Sequence, residues 1–323
     1  TRRATPIGGA GGRGCGANDH PTDGLQVGMK AFKQYVEFKS GGTLQVRLFW
    51  NTLGGSLQLT EQVKNGTLDM AAVDDSVLGS FHKPMQVFQI PYLFPSSAVA
   101  WAFVEGPFVR EMTDDMLKAT GIRTLTFSEN GFRNITNNVR EIKTPDDLKG
   151  LKMRTMQSQV YVNFMKSMGA SATPISWPEL VPALKQNVVD GQENAAGTVL
   201  AGKLYEVQKF MSVNEHIYGL HLYLINEAVF QKLSPDHKQI LIDGAKVHTA
   251  VANAAKAMEQ VTAVDAIRAQ GVKVHVTTPS EKELFRKASQ QAVIEFITGQ
   301  TSKELVDKLL VAVEDAKKKV YQQ

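Results

Sequence analysis

The sequence predicts an α/β protein, and three observations carry that prediction. Short apolar or alternating stretches, such as 44–48, 68–73 and 122–127, read as strands. Between them lie segments whose apolar residues follow helical spacing, so strands and helices alternate along the chain, the order of a largely parallel sheet. The 323 residues are 43% hydrophobic, enough for more than one core, and two domains are expected rather than one.

The elements follow in order. Residues 1–18 are glycine-rich and give no regular element. Leu25, Met29, Phe32 and Val36 keep helical spacing, with start signals at 19–22 and Gly41-Gly42 as the stop. Leu44, Val46 and Leu48 alternate as a strand. A short helix ends near Gly66, 68–73 is a buried strand, and 90–94 is an apolar loop before helices around 99–104 and 109–120. A strand over 122–127 closes the first half. The run Thr144-Pro145-Asp146-Asp147 is a helix start, with a capping side chain and acids at the positive end. Residues 151–153 form a strand, and Tyr161, Phe164, Met165 and Met168 mark the buried face of a helix. Ser176-Trp177-Pro178-Glu179 is a capping box opening the next helix, at whose end Asp190-Gly191-Gln192-Glu193-Asn194 reads as an amide-rich turn. A strand spans 217–225. Ser234-Pro235 then opens a helical pattern that runs to Gln270, about 50 Å of helix. Its many alanines suit a helix joining two lobes. Val272, Val274 and Val276 form a last strand before two closing helices.

Composition and motifs narrow the function. The formal charge is +4, and the basic residues are scattered apart from Lys317-Lys318-Lys319, so no nucleic-acid stripe is read. One cysteine, Cys15, excludes an internal disulfide and a cysteine-built metal site. No apolar run reaches the roughly 18–20 residues of a membrane span. Arg2-Arg3 is not followed by the hydrophobic core of a leader, as in a chain already trimmed of one. Gly9–Gly14 match a GxGxxG string, but no strand precedes it, so no dinucleotide cofactor is expected. His216 and His221 point to opposite faces of one strand and cannot share a metal. None of the common hydrolase, phosphate-loop or calcium-loop motifs occurs, and no catalytic residue is assigned.

Arg154 stands apart. It ends the strand after Leu151 and Met153 and precedes the turn Thr155-Met156-Gln157-Ser158, which opens a helix. A guanidinium there can make two parallel charge-assisted hydrogen bonds to a carboxylate, aided by the dipoles of the following helix. Arg133 is a second candidate cation just beyond a strand end, and Asp74 sits where ligands collect at a strand's carboxyl end. Trp177 is either a flat pocket wall or a core residue, and Asn194 either a polar contact or a turn former.

The chain resembles the extracytoplasmic solute receptors of tripartite ATP-independent periplasmic (TRAP) transporters, the DctP-type family. The segments that carry the resemblance are LTEQVKNGTLDMA (59–71), FQIPYLF (88–94), KTPDDLKGLKMRTMQS (143–158), MGASATPISWPEL (168–180) and VVDGQEN (188–194). The resemblance implies a two-lobed α/β fold, with the ligand cleft between the lobes and the long helix linking them. The expected lobes are 1–131 with 220–259, and 132–219 with 260–323. It implies that Arg154 clamps the ligand carboxylate and that Asn194, Arg133, Asp74, Trp177 and Asn18 surround it, beside Gln157 and Ser158 of the turn. It implies a periplasmic receptor with no cofactor and no bound metal, whose partners are a small organic acid and the membrane permease. The ligand is expected to be a C4-dicarboxylate or related acid. A sugar acid such as a uronate, or pyroglutamate, is the alternative, since Asp74 would repel a second carboxylate. The rival of another class is an enzyme using Asp74 as a base on a bound acid.

Overall fold

A computed structural model describes residues 23–322 and the backbone of 5–7 and 15–17. Along the chain the elements are β1 (Thr5–Ile7), β2 (Cys15–Ala17), α1 (Gly24–Lys39), β3 (Leu44–Val46), β4 (Leu48–Trp50), α2 (Ser56–Asn65) and β5 (Met70–Asp74). Two 3-10 helices, Asp75–Ser80 and Lys83–Gln89, precede α3 (Ser97–Val104), α4 (Pro107–Thr120) and β6 (Ile122–Asn137). Then come β7 (Lys152–Thr155), α5 (Gln159–Ser167), β8 (Ser171–Pro174), α6 (Trp177–Lys185), β9 (Gly191–Ala195), α7 (Ala196–Ala201) and β10 (Phe210–Val213). The chain ends with β11 (Tyr218–Asn226), α8 (Glu227–Gln231), α9 (Pro235–Ala269), β12 (Lys273–Val276), α10 (Pro279–Gln300) and α11 (Lys303–Tyr321).

The α/β class expected from the sequence is observed, and the chain divides into two compact units. The first holds 1–74, 113–130 and 220–258; the second holds 75–112, 131–219 and 259–323. The chain passes from one to the other after β5 and within α4, β6, β11 and α9.

In the first unit β2 pairs parallel with β4 and β5, and β5 pairs antiparallel with β11. The apolar face of α1, built from Leu25, Met29, Phe32 and Val36, packs on Tyr223 and Ile225 of that sheet and on Leu241 and Ala245 of α9. Phe32 meets Tyr223 edge to face at 4.8 Å, and Tyr223 stacks on His248. Two glycines let α1 approach α9 closely. A Cβ on Gly24 would lie 2.8 Å from the Ala252 carbonyl oxygen, and one on Gly28 2.9 Å from that of His248. The residues before α1, expected to lack regular structure, contribute β1, parallel to β3, and β2. These strands are recognised by their backbone pairing, for which glycine-rich segments without an apolar pattern carry no sequence signal.

In the second unit β6 pairs antiparallel with β9 and β10, while β7 runs parallel to β8 and β9. One core lies among α6, α7, β10 and the end of α9, through Leu180, Leu184, Val199, Met211, Ala263 and Ile267. Three expectations need correction here. The expected turn at 190–194 is instead a bend at Asp190 followed by most of a fully buried strand, β9. Its glycine marks a close approach, since a Cβ on Gly191 would lie 2.2 Å from the Thr136 carbonyl oxygen. The helix start at Thr144 does form a capping box, yet it opens only a 3-10 turn, Pro145–Leu148. Gly150, at φ +77°, turns the chain into β7. Residues 75–112, expected in the first lobe, pack in the second unit. The amide of Gln290 donates to the Pro91 carbonyl at 2.7 Å, the Tyr92 amide to the His216 carbonyl, and Phe94 meets Tyr218.

Candidate solute-binding site

Arg154 lies on the second unit's β7, one residue from its carboxyl end, and is 1% exposed. Its Nε donates to the Ile175 carbonyl at 2.8 Å, just past the carboxyl end of the neighbouring strand β8. One donor of the fork is thus fixed by backbone, which sets the plane of the guanidinium. The carboxyl edge of parallel strands is where α/β sheets bind ligands. The turn after Arg154 leads into α5 at Ser158, whose hydroxyl donates to the Gln89 amide oxygen at 2.8 Å instead of capping the helix. Gln157 is half-buried in that turn. Asn194 sits at the corresponding end of β9, 3% exposed, with its side-chain oxygen accepting from the Ala195 amide.

Arg133 is placed differently from the expectation. It lies inside the 16-residue β6, not beyond a strand end, and is fully buried. Its Nε and Nη2 meet the Glu193 carboxylate at 2.6 and 3.0 Å, and Nη2 also reaches the Glu193 carbonyl at 2.9 Å. The Tyr161 ring covers the guanidinium carbon at 5.5 Å. His216 adds a contact from Nε2 to Glu193 at 3.1 Å and stacks on Phe164. Burial alone would raise the Glu193 carboxyl; the Arg133 charge and hydrogen bonds from His216 and Arg133 outweigh it and hold it below the ordinary range. Burial pushes His216 below its usual value against the pull of Glu193, which favours the neutral imidazole. Glu193, His216 and Gln89 are the residues the sequence reading missed. With Arg133 read as lying beyond a strand end, nothing in the sequence called for a buried carboxylate partner.

Trp177 opens α6 half-buried against the second unit's core, with the edge of its six-membered ring over Gly202, where a Cβ would sit 2.9 Å away. Asp74, in the first unit, ends β5 at 9% exposure and accepts from the Asn130 amide nitrogen at 3.2 Å. Asn18 and the glycine run at 9–14 lie outside the described residues. No group of metal-binding residues occurs among the described residues, and no helix among them is long and apolar enough to cross a membrane.

Comparison with known proteins decides the class. Residues 17–300 match the family model for bacterial extracellular solute-binding proteins, family 7, known as DctP. The chain belongs to the DctP family. It is 31% identical over 271 residues to the 2,3-diketo-L-gulonate-binding periplasmic protein of Escherichia coli, covering 83% of this chain and 81% of that one. Among solved structures it is similar to a sugar acid binding protein from Advenella mimigardefordensis in complex with galactonate. That match has 30% identity and a TM-score of 0.91, over 97% of this chain and 99% of the other. It is also similar to a TRAP periplasmic solute binding protein from a Polaromonas species bound to D-erythronate, at 29% identity and a TM-score of 0.86, over 92% and 97% of the two chains. The family and these relatives are solute-binding proteins, not enzymes, which removes the reading of Asp74 as a catalytic base.

Proposed function

We propose that this DctP-family receptor works in the periplasm, captures a sugar acid through Arg154, and hands it to the membrane permease of a TRAP transporter. The observation that carries the reading is the buried guanidinium at the carboxyl edge of β7, oriented by its bond to the Ile175 carbonyl. A planar fork in a water-poor site holds a carboxylate by paired charge-assisted bonds, each contributing on the order of 1.5–3 kcal/mol. Asn194, Gln157 and Ser158 are assigned the polar groups of the same ligand, and Trp177 a wall shaped by its packing on Gly202. Asp74 and Asn18 are assigned to ligand hydroxyls, for which a carboxylate or amide oxygen is an acceptor.

The sugar-acid reading is preferred to a C4-dicarboxylate for one structural reason. A dicarboxylate needs a second cation, and the Arg133 fork is directed at Glu193. The ligands of the similar proteins, galactonate, D-erythronate and 2,3-diketo-L-gulonate, support the same class.

Calorimetric titration with galactonate, erythronate, glucuronate and succinate tests this. The purified protein is expected to bind a sugar acid well ahead of succinate. Arg154→Ala is expected to weaken that binding at least about a hundredfold, and Arg154→Lys less, because an ammonium cannot reproduce the paired bonds. Undiminished binding by Arg154→Ala would overturn the anchor; tighter binding of succinate would overturn the sugar-acid class alone.

A further inference from the structure

Within the second unit a cavity of about 530 Å³ opens between the two 3-10 helices, the start of α5 and the end of α10. Phe81 and Phe296, both half-buried, give it aromatic walls, and Lys83, Gln86, Ser158 and Gln300 supply its polar groups. No acidic residue lines it. The volume and the mix of apolar wall with few polar groups are those of a small-molecule site.

Its charge is uncompensated. Lys83 Nζ donates to the Gln300 amide oxygen at 3.1 Å, and no carboxylate among the described residues pairs with it. Gln86 is buried, 9% exposed, and its amide oxygen has no hydrogen-bond partner. An unsatisfied buried amide is costly, and a ligand that engages it would recover that cost. Gln159, also on the wall, begins α5, whose first turn receives no side-chain cap because Ser158 donates to Gln89. The uncapped peptide N–H groups add positive potential on the same side as Lys83.

We propose that this cavity, which shares only Ser158 with the site proposed around Arg154, is a second ligand site for a small organic anion with an apolar body and a hydrogen-bond donor. The carboxylate pairs with Lys83, its apolar part lies against Phe81 and Phe296, and a hydroxyl or N–H of the ligand donates to the Gln86 amide oxygen. The proposal stands whether or not the sugar-acid reading does, because it uses neither Arg154 nor Asp74.

Benzoate, which tests the Lys83 and phenylalanine contacts without the Gln86 bond, is the probe, titrated into the full chain carrying Arg154→Ala so that the Arg154 site is silenced. Saturable binding of one benzoate is expected, weakened about tenfold or more by adding Lys83→Met, an exposed position where the fold is not at stake. Phe296→Ala in the same background is expected to weaken it as well, with circular dichroism confirming the fold. In the unaltered protein, saturating galactonate is expected to leave benzoate binding in place. Absence of saturable binding to the Arg154→Ala protein, or binding unmoved by Lys83→Met, would overturn the proposal.

Discussion

Each unit buries a cation, and the two solve the resulting problem differently. In the second unit Arg133 and Glu193, both fully buried, form a two-pronged pair between neighbouring strands. In the first unit Lys256 of α9, 1% exposed, contacts Asp23 at 3.1 Å, whose side chain is 12% exposed and which also caps α1 through the Leu25 amide. An arginine fork fixes distance and plane together, which suits two strands in register. A lysine is a point charge on a flexible stem, and it suits a carboxylate that already serves a helix end. The lesson is that the sheet of one unit is braced sideways, across strands, while the other unit is pinned helix to helix.

The comparison can be broken at either end. Glu193→Gln strands the Arg133 charge in a dry interior and is expected to lower stability by about 3–5 kcal/mol, read from urea unfolding. Exchanging the pair for matched apolar residues should recover most of that loss. Lys256→Met is expected to cost less, about 3 kcal/mol, because Asp23 keeps its bond to the Leu25 amide and lies nearer to water. Equal losses in the two variants would remove the distinction between brace and pin.

Acidity sharpens it further. Asp23 is held below the ordinary carboxylate range: burial would raise it, and Lys256, His221 and the Leu25 amide outweigh burial. Asp23 and Glu193 therefore both contribute stability above their unfolded-state values that is lost as pH falls through the folded ones. Each unit also holds a histidine that burial lowers, His216 in the second and His248 in the first. His248, stacked on Tyr223, is pushed down to about 4, mainly by burial. Its unfolded form takes up a proton below the usual 6.5 while the folded form does not, so stability drops as pH falls across that window. About 2 kcal/mol is expected to go between about pH 7 and about pH 5, and His248→Phe should remove that share of the slope.

How much of this was legible in the sequence depends on where polar residues lay. The helices stood out wherever apolar residues kept their spacing, as at Leu25, Met29, Phe32 and Val36, and the long α9 was read almost to its ends. Strands whose interior is apolar, such as β5, were also plain. β9 was misread because its side chains are amides and an acid, and only their partners Thr136 and Arg133 make such a strand possible. Arg154 was legible from its place between an apolar strand and a helix start. The partners of Arg133 were not, because they come from β9 and from the segment before β11, and pairing across sequence leaves no periodicity. The placement of 75–112 failed for the same reason: its packing partners on α10 and beside β11 lie far along the chain.

The contact of α1 with α9 reverses a common rule of protein engineering. Replacing a helical glycine by alanine ordinarily stabilises a protein by about 0.5–1 kcal/mol. At Gly24 and Gly28 the added methyl would press on the backbone of the opposing helix. Thermostabilising campaigns that treat all helical glycines alike would wedge these two helices apart, so the pair belongs on the list of positions left untouched.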